Sequence, residues 1–222
     1  MINVYYINTA SLMEDRVFES FYGLLSPERR KKTDALRRRE DKARSLGAGL
    51  LLRAGFSRLG INAEDEIFLV SEGGKPYLAH RDGLFFNLAH SGDRAMCVIS
   101  DVEVGCDVEL IGGGNERVAK RFFTEIENQW LETCEDKASG FARIWTLRES
   151  VVKATGRGIA ASLGGFSIGF RGESAYVLGG DDMERKIALR EYFRDDGHAY
   201  AVARVDGGEL PDMEEISLDI FR

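Results

Sequence analysis

Two textures of apolar residues alternate along this chain, and they do so twice in the same order. Near the start, Val4, Tyr6 and Asn8 alternate with Tyr5 and Ile7, the two-residue period of a strand. A helical stretch follows from Ser26, with Pro27 in its first turn, to about Leu59. Leu46, Leu50, Leu51, Ala54 and Leu59 carry its apolar spacing. Short strands come next: residues 66–70, a turn at Glu72-Gly73-Gly74-Lys75-Pro76, then 84–89 and 95–100 joined across His90-Ser91-Gly92-Asp93. The cycle then restarts. A strand is predicted over 104–111, closed by Gly112-Gly113-Gly114. Thr124 and Glu127 form a capping box that opens a helix through Cys134. A second helix is predicted from about Phe141 to Thr155, stopping at Gly156. Strands at 166–170, 176–178, 187–193 and 199–205 complete the chain, the last two as a hairpin across Asp195-Asp196-Gly197. Strand, helices, strands, read twice, predicts an α+β chain of two halves joined near Asp101–Gly105. No residue-level repeat accompanies that order.

At 222 residues, 44% of them hydrophobic, the chain can bury a substantial core. Its formal charge of −7 argues against nucleic acid as the main partner. No run reaches the length of a membrane span, and the first ten residues lack the basic and apolar regions of a signal peptide. The three cysteines, Cys97, Cys106 and Cys134, have neither zinc-site nor disulfide spacing, so a reducing, cytoplasmic setting is expected.

Charge is concentrated rather than spread. Between Arg29 and Arg44 lie nine basic residues against three acidic ones, in a chain that is acidic as a whole. This segment is either a solvated helix face or a surface for an anion.

Three segments carry residues suited to chemistry. In Val104-Gly105-Cys106-Asp107-Val108-Glu109, strand alternation places Asp107 and Glu109 on one face, with Cys106, Val108 and Leu110 toward the core. Two carboxylates so placed repel one another, and a hard cation such as Mg²⁺ relieves the repulsion; two solvated acids are the plainer alternative. In Trp145-Thr146-Leu147-Arg148-Glu149-Ser150-Val151-Val152-Lys153, helical spacing puts Trp145, Glu149 and Lys153 in one stripe. That stripe is either a surface ion pair or a third carboxylate with a cation for phosphate. In Asn87-Leu88-Ala89-His90-Ser91-Gly92, one of only three histidines ends a strand beside a glycine turn. Together the segments would form a phosphate site, where positioning and charge neutralisation matter more than covalent catalysis.

These motifs, with Gly74-Lys75-Pro76, Ser26-Pro27-Glu28-Arg29, Arg39-Glu40-Asp41, Arg44 and Phe122-Phe123-Thr124-Glu125, resemble the surfactin-synthetase type of 4'-phosphopantetheinyl transferase. The likeness covers most of the chain in order and spacing and is weakest after Gly158. Two positions depart from the family pattern: Ala89 stands where relatives often carry serine, and Arg148 where they usually carry lysine. The second change keeps the charge but turns a point-like ammonium into a planar fork.

The resemblance implies a monomer of two similar, pseudo-twofold-related halves, each an antiparallel sheet packed with helices. The active site would lie at their interface. Residues 1–103 would form the half that binds coenzyme A, and 104–222 the half with the metal carboxylates and catalytic helix. By the same resemblance, Asp107, Glu109 and Glu149 would hold Mg²⁺ on the pyrophosphate of coenzyme A. Glu149 would accept the proton of a serine on an apo acyl or peptidyl carrier protein, and adenosine 3',5'-bisphosphate would leave. Lys153 and His90 would offset phosphate charge. Arg29, Lys32, Arg44, Lys75 and Ser91 are further candidates for contacts with coenzyme A. Two other classes could use these residues: a silent coenzyme A or nucleotide-binding module, and a Mg²⁺-dependent phosphohydrolase. For the carrier, a small apolar contact is expected near Phe122, Phe123, Ile126 and Trp130; the alternative is that these four are simply core, since Phe122, Ile126 and Trp130 also follow helical spacing.

Overall fold

The computed structural model describes residues 1–112, 116–156, 165–179 and 186–222. Its elements are β1 (Ile2–Asn8), α1 (Asp15–Tyr22), α2 (Pro27–Asp34), α3 (Arg39–Arg58), β2 (Phe68–Val70), β3 (Pro76–Leu78), β4 (Phe85–Ser91), β5 (Arg94–Ser100) and β6 (Val104–Leu110). There follow α4 (Glu116–Phe122), α5 (Glu125–Thr133), α6 (Lys137–Thr155), β7 (Ser167–Arg171), β8 (Ser174–Leu178), β9 (Ala188–Glu191), β10 (His198–Arg204) and β11 (Met213–Glu215). The class is α+β, as the alternating textures require. Among the described residues, no helix is long and apolar enough to cross a membrane.

Two sheets organise the chain. The first has the order β11-β1-β5-β4, and the second β6-β10-β9. All pairs within them are antiparallel except β1–β11, where the chain end returns to lie parallel to β1. Helix α3 packs on β1 and β5, and α6 packs on β6 and β10. The sheets meet where β4 lies beside β6, and there the Asn87 side chain accepts a hydrogen bond from the Cys106 backbone N–H at 2.9 Å. Val4, Tyr6, Met96 and Val98 of the first sheet share one apolar cluster with Val104, Cys106, Val108, Tyr200 and Val202 of the second. That shared core fixes the two sheets against each other.

The long basic helix expected from Ser26 to Leu59 is two helices. Ser26 caps α2, its side chain accepting from the Arg29 N–H at 3.3 Å, and α2 ends at Asp34. The chain re-enters helix only at Arg39, after Arg38 adopts an extended backbone. Ala35, Leu36, Arg37 and Arg38 lie outside both helices, and α2 itself carries no apolar stripe that burial could extend into them. Helix α6, by contrast, starts earlier than its apolar spacing suggested, because Asp136 caps it by accepting from the N–H groups of Ala138 and Ser139. It ends at Gly156, whose φ of 68° is the left-handed cap that glycine adopts freely. The capping box of Thr124 and Glu127 is formed as expected. Leu110 is not core: at the end of β6 it is 51% exposed. Of the Gly112-Gly113-Gly114 turn, residues 113 and 114 lie outside the described residues.

Gly105 governs how closely α6 approaches β6. A methyl group there would lie 2.2 Å from the Ser150 carbonyl oxygen and 2.3 Å from the Ala154 nitrogen, both backbone atoms that cannot swing aside. Gly105→Ala is therefore expected to push the helix outward and cost about 1–3 kcal/mol. Urea unfolding measures the loss, and an unchanged midpoint would show that α6 has room to spare.

Candidate active site

The close seat of α6 on β6 brings three of the expected carboxylates to one place. A cavity of about 540 Å³ is lined by Leu88, Ala89, His90, Asp107, Glu109, Phe122, Trp145, Glu149 and Lys153. Strand alternation aims Asp107 and Glu109 into it, and the i, i+4, i+8 stripe of α6 supplies Trp145, Glu149 and Lys153. Its apolar wall is stiffened by the Phe122 and Trp145 rings, which meet edge to face with centroids 5.7 Å apart.

Asp107 is the buried centre of the site, 5% exposed. Its Oδ1 accepts from Lys153 Nζ at 2.5 Å, whereas its Oδ2 is buried with no hydrogen-bond partner. Burial drives the Asp107 carboxyl up to about 7; Lys153 opposes this, and the charges of Glu109 and Glu149 add to it. Glu109 is held by the Ser91 hydroxyl, which donates to its Oε2 at 2.7 Å and accepts from the Leu110 N–H at 3.2 Å. On Lys153, burial works against the ammonium, but the Asp107 carboxylate overrides it and raises the pKa. His90 is exposed at the rim. Desolvation by nearby atoms, reinforced by Arg29 and Arg44, keeps its pKa below the ordinary 6.5, so the ring is neutral at pH 7.

The donor set suits a hard divalent cation. All three acids offer oxygen, Glu109 and Glu149 add negative field at Asp107, and Asp107 Oδ2 has no hydrogen-bond partner among the described residues. Among the described residues, no three acidic, histidine or cysteine side chains are already drawn into a ligand cluster. Lys153 engages Asp107 and Ser91 engages Glu109, so the carboxylates line one cavity while held apart.

The basic residues divide. Arg29 and Lys32 border a second cavity, of about 240 Å³, that shares Leu88 with the first and has Val70, Pro76 and Phe86 as apolar lining. Arg29 donates to the Ser45 carbonyl at 3.0 Å through Nη2, and burial pushes its pKa down to about 10. Among the described residues, no ion pair joins Arg29 or Lys32 to an acid. Arg44 instead spans two partners, the Gly92 carbonyl at 2.8 Å and the Asp41 carboxylate. Lys75 lies in neither cavity. Its Nζ is turned onto the backbone carbonyls of Val104 at 2.9 Å and Ala154 at 3.2 Å, where burial lowers its pKa. Lys75 thus closes the C-terminal end of α6.

Arg148 faces away from the cavity, and its charge does not reach the phosphate site. It is 2% exposed, and Nη1 donates to both carboxylate oxygens of Glu127, at 2.7 and 2.8 Å. Glu127, fully buried, also accepts from the backbone N–H groups of Thr124 and Ile168, each at 2.7 Å. The pair ties α5, α6 and β7 together. Periodicity alone does not reveal it, because Glu127 already has a complete local role in the capping box. Near the carrier contact expected from sequence, Phe123 is core and Trp130 stacks on Phe170 with centroids 3.7 Å apart. Ile126 is 51% exposed.

Comparison with known proteins is consistent with this geometry. The profile of the 4'-phosphopantetheinyl transferase superfamily matches residues 103–203. A 4'-phosphopantetheinyl transferase of Bacillus subtilis is 28% identical over 211 residues, covering 91% of this chain and 92% of its own. The 4'-phosphopantetheinyl transferase Sfp of Bacillus subtilis strain 168 is 28% identical over 204 residues, covering 90% and 91%. The 4'-phosphopantetheinyl transferase gsp of Aneurinibacillus migulanus is 30% identical over 171 residues, covering 76% of this chain and 71% of its own. On its sequence over most of its length, this chain belongs to the 4'-phosphopantetheinyl transferase family.

Proposed function

We propose that this enzyme moves the 4'-phosphopantetheine arm of coenzyme A onto a serine of an apo acyl or peptidyl carrier protein, with Mg²⁺ present, and releases adenosine 3',5'-bisphosphate. The observation that carries the reading is the single cavity holding three carboxylates, Lys153 and His90, with one buried carboxylate oxygen left unpartnered. Asp107, Glu109 and Glu149 would hold the cation. When bound, it supplies positive charge to the pyrophosphate oxygens.

The chain's own residues have separate tasks. Among the described residues, no side chain of the cavity hydrogen-bonds Glu149, which lines it and is placed to take the proton of the carrier serine. Lys153, its charge reinforced by Asp107, neutralises charge on the phosphate that is transferred. Neutral His90 can donate a ring N–H to a phosphate oxygen at the rim. Arg29 and Lys32, cations without acidic partners among the described residues and bordering an apolar cleft, suit a nucleotide with an additional phosphate. Arg44 and Ser91 flank the same strand end, whereas Lys75 supports the site through α6.

The halves 1–103 and 104–222 are proposed to be pseudo-twofold related. In support, β1-β5-β4 with α3 has the same strand order and helix placement as β6-β10-β9 with α6, and only β11 crosses back. The chain is further proposed to act as a monomer in the cytoplasm.

The test is to assay adenosine 3',5'-bisphosphate release with coenzyme A alone and with an apo-carrier, with and without a chelator. Release that needs both carrier and Mg²⁺ is expected. Release without carrier would indicate a hydrolase, and release in chelator would remove the cation. Lys153→Ala is expected to lower kcat by about a hundredfold or more while changing coenzyme A affinity little, because its charge matters most where charge accumulates. A change confined to affinity would make Lys153 a binding residue only. Ile126→Ala is expected to raise KM for the carrier several-fold with an unchanged Tm. A lowered Tm at constant KM would place Ile126 in the fold instead.

A further inference from the structure

The strand that carries Asp107 and Glu109 is bound on its outer side by side chains rather than by another strand. In the sheet order β6-β10-β9, β6 is the edge strand among the described residues. Its residues alternate between N–H groups turned to β10 and N–H groups turned away. Those of Cys106 and Leu110 are turned away, toward β4. The Asn87 side chain accepts from the first at 2.9 Å, and the Ser91 hydroxyl accepts from the second at 3.2 Å. Asn87 and Ser91 share one face of β4 at the same spacing as Cys106 and Leu110, so two side chains set the register of β4 on β6.

The two ties differ in what else they hold. Asn87 is buried and, among the described residues, makes no hydrogen bond to a carboxylate. Ser91 also donates to Glu109 Oε2 at 2.7 Å. A hydroxyl has a single proton, and here that proton is directed at Glu109 while the Leu110 N–H takes a lone pair. Expected from sequence to contact coenzyme A, this hydroxyl has no proton left for a phosphate oxygen. On Glu109, Oε2 is engaged, and among the described residues nothing hydrogen-bonds Oε1. The strand end has little else to fix it on this side. Leu110 is 51% exposed, and the next bond, from the Ile111 N–H to the Gly197 carbonyl at 2.8 Å, secures only the β10 side.

We propose that Ser91 is a positioning residue for the cation: anchored on the Leu110 N–H, its hydroxyl holds one oxygen of Glu109 and leaves the other to serve as a ligand. Glutamate is a flexible side chain, and ordering it only when the cation arrives would cost affinity. A carboxylate that is hydrogen-bonded through one oxygen is already oriented, and such outer partners govern how well ligating groups bind. Ser91 therefore acts on coenzyme A through the cation rather than by contact. Its neighbours keep their own tasks: His90 stands at the cavity rim, and the Gly92 carbonyl accepts from Arg44 at 2.8 Å.

The role rests on the reading of Glu109 as a ligand of a divalent cation, and Mn²⁺ alone is the probe, because its carboxylate chemistry matches that of Mg²⁺ and its free form is counted by electron paramagnetic resonance. Titrated without coenzyme A, Ser91→Ala is expected to bind Mn²⁺ about ten- to a hundredfold more weakly than wild type. Ser91→Thr, which keeps the hydroxyl, is expected to recover most of that loss. Calorimetric titration of coenzyme A in chelator is expected to give the same affinity for wild type and Ser91→Ala. Asn87→Ala removes the other tie; it is expected to lower Tm while the folded protein keeps wild-type affinity for Mn²⁺. Equal or tighter Mn²⁺ binding by Ser91→Ala would overturn the role. So would an equal loss in Asn87→Ala, which would make both ties structural only. Weaker coenzyme A binding by Ser91→Ala in chelator would overturn it as well, since the hydroxyl would then contact the coenzyme. Wild type that binds no Mn²⁺ would remove the cation reading itself and this role with it, an outcome distinct from Mn²⁺ binding that Ser91 does not affect.

Discussion

Replacing Asp107 with alanine is expected to lower transfer turnover by on the order of a thousandfold while leaving the protein folded. The carboxylate is buried, one of its oxygens has no partner, and Glu109 and Glu149 press on it from the same cavity. Its native pKa of about 7 lies above the ordinary 3.8, so folding favours its protonated form. The contribution of Asp107 to stability is therefore full below about pH 4 and is lost as pH rises through 7. Loss of the side chain should consequently cost little at pH 8, since Lys153 retains Glu149 as a neighbouring charge. Thermal melting at pH 5 and pH 8, beside single-turnover transfer, measures both effects. Near-normal turnover by a folded variant would take Asp107 out of the chemistry.

Arg148→Ala should have the opposite profile. It leaves Glu127 fully buried without its cation, a change expected to cost about 3–5 kcal/mol of stability. Neither residue lines the cavity, so activity per folded molecule should be nearly unchanged. Arg148→Lys should lose less, because an ammonium still neutralises Glu127, though without the guanidinium fork. Urea unfolding with a matched transfer assay separates these outcomes. A stable Arg148→Ala protein with little activity would mean that the guanidinium acts on the substrate.

Much of this architecture is legible in residue patterns because they are local. The alternation around Asp107 and Glu109 and the stripe of Trp145, Glu149 and Lys153 follow from strand and helix geometry, and the two meet in one cavity. What brings them together is less visible: Gly105, whose missing side chain lets α6 lie against β6, reads in sequence as an ordinary strand glycine. Charge was harder to place than apolar texture. Lys75 stands in a motif expected to contact coenzyme A and Arg148 in the motif of the catalytic helix, yet each is taken up by groups distant in sequence, Lys75 by two carbonyls and Arg148 by Glu127. The break between α2 and α3 was hidden for a related reason. Basic residues run through it without interruption, and composition does not register where a helix ends.

The central claim is transfer of the phosphopantetheine arm to a carrier serine, and intact-mass measurement of the carrier tests it most directly. An apo-carrier incubated with coenzyme A, Mg²⁺ and this enzyme is expected to gain the mass of one phosphopantetheine arm, and a carrier with that serine changed to alanine to gain nothing. A panel of apo-carriers from fatty-acid, polyketide and peptide synthesis that all keep their original mass, with enzyme shown to bind coenzyme A, would contradict it.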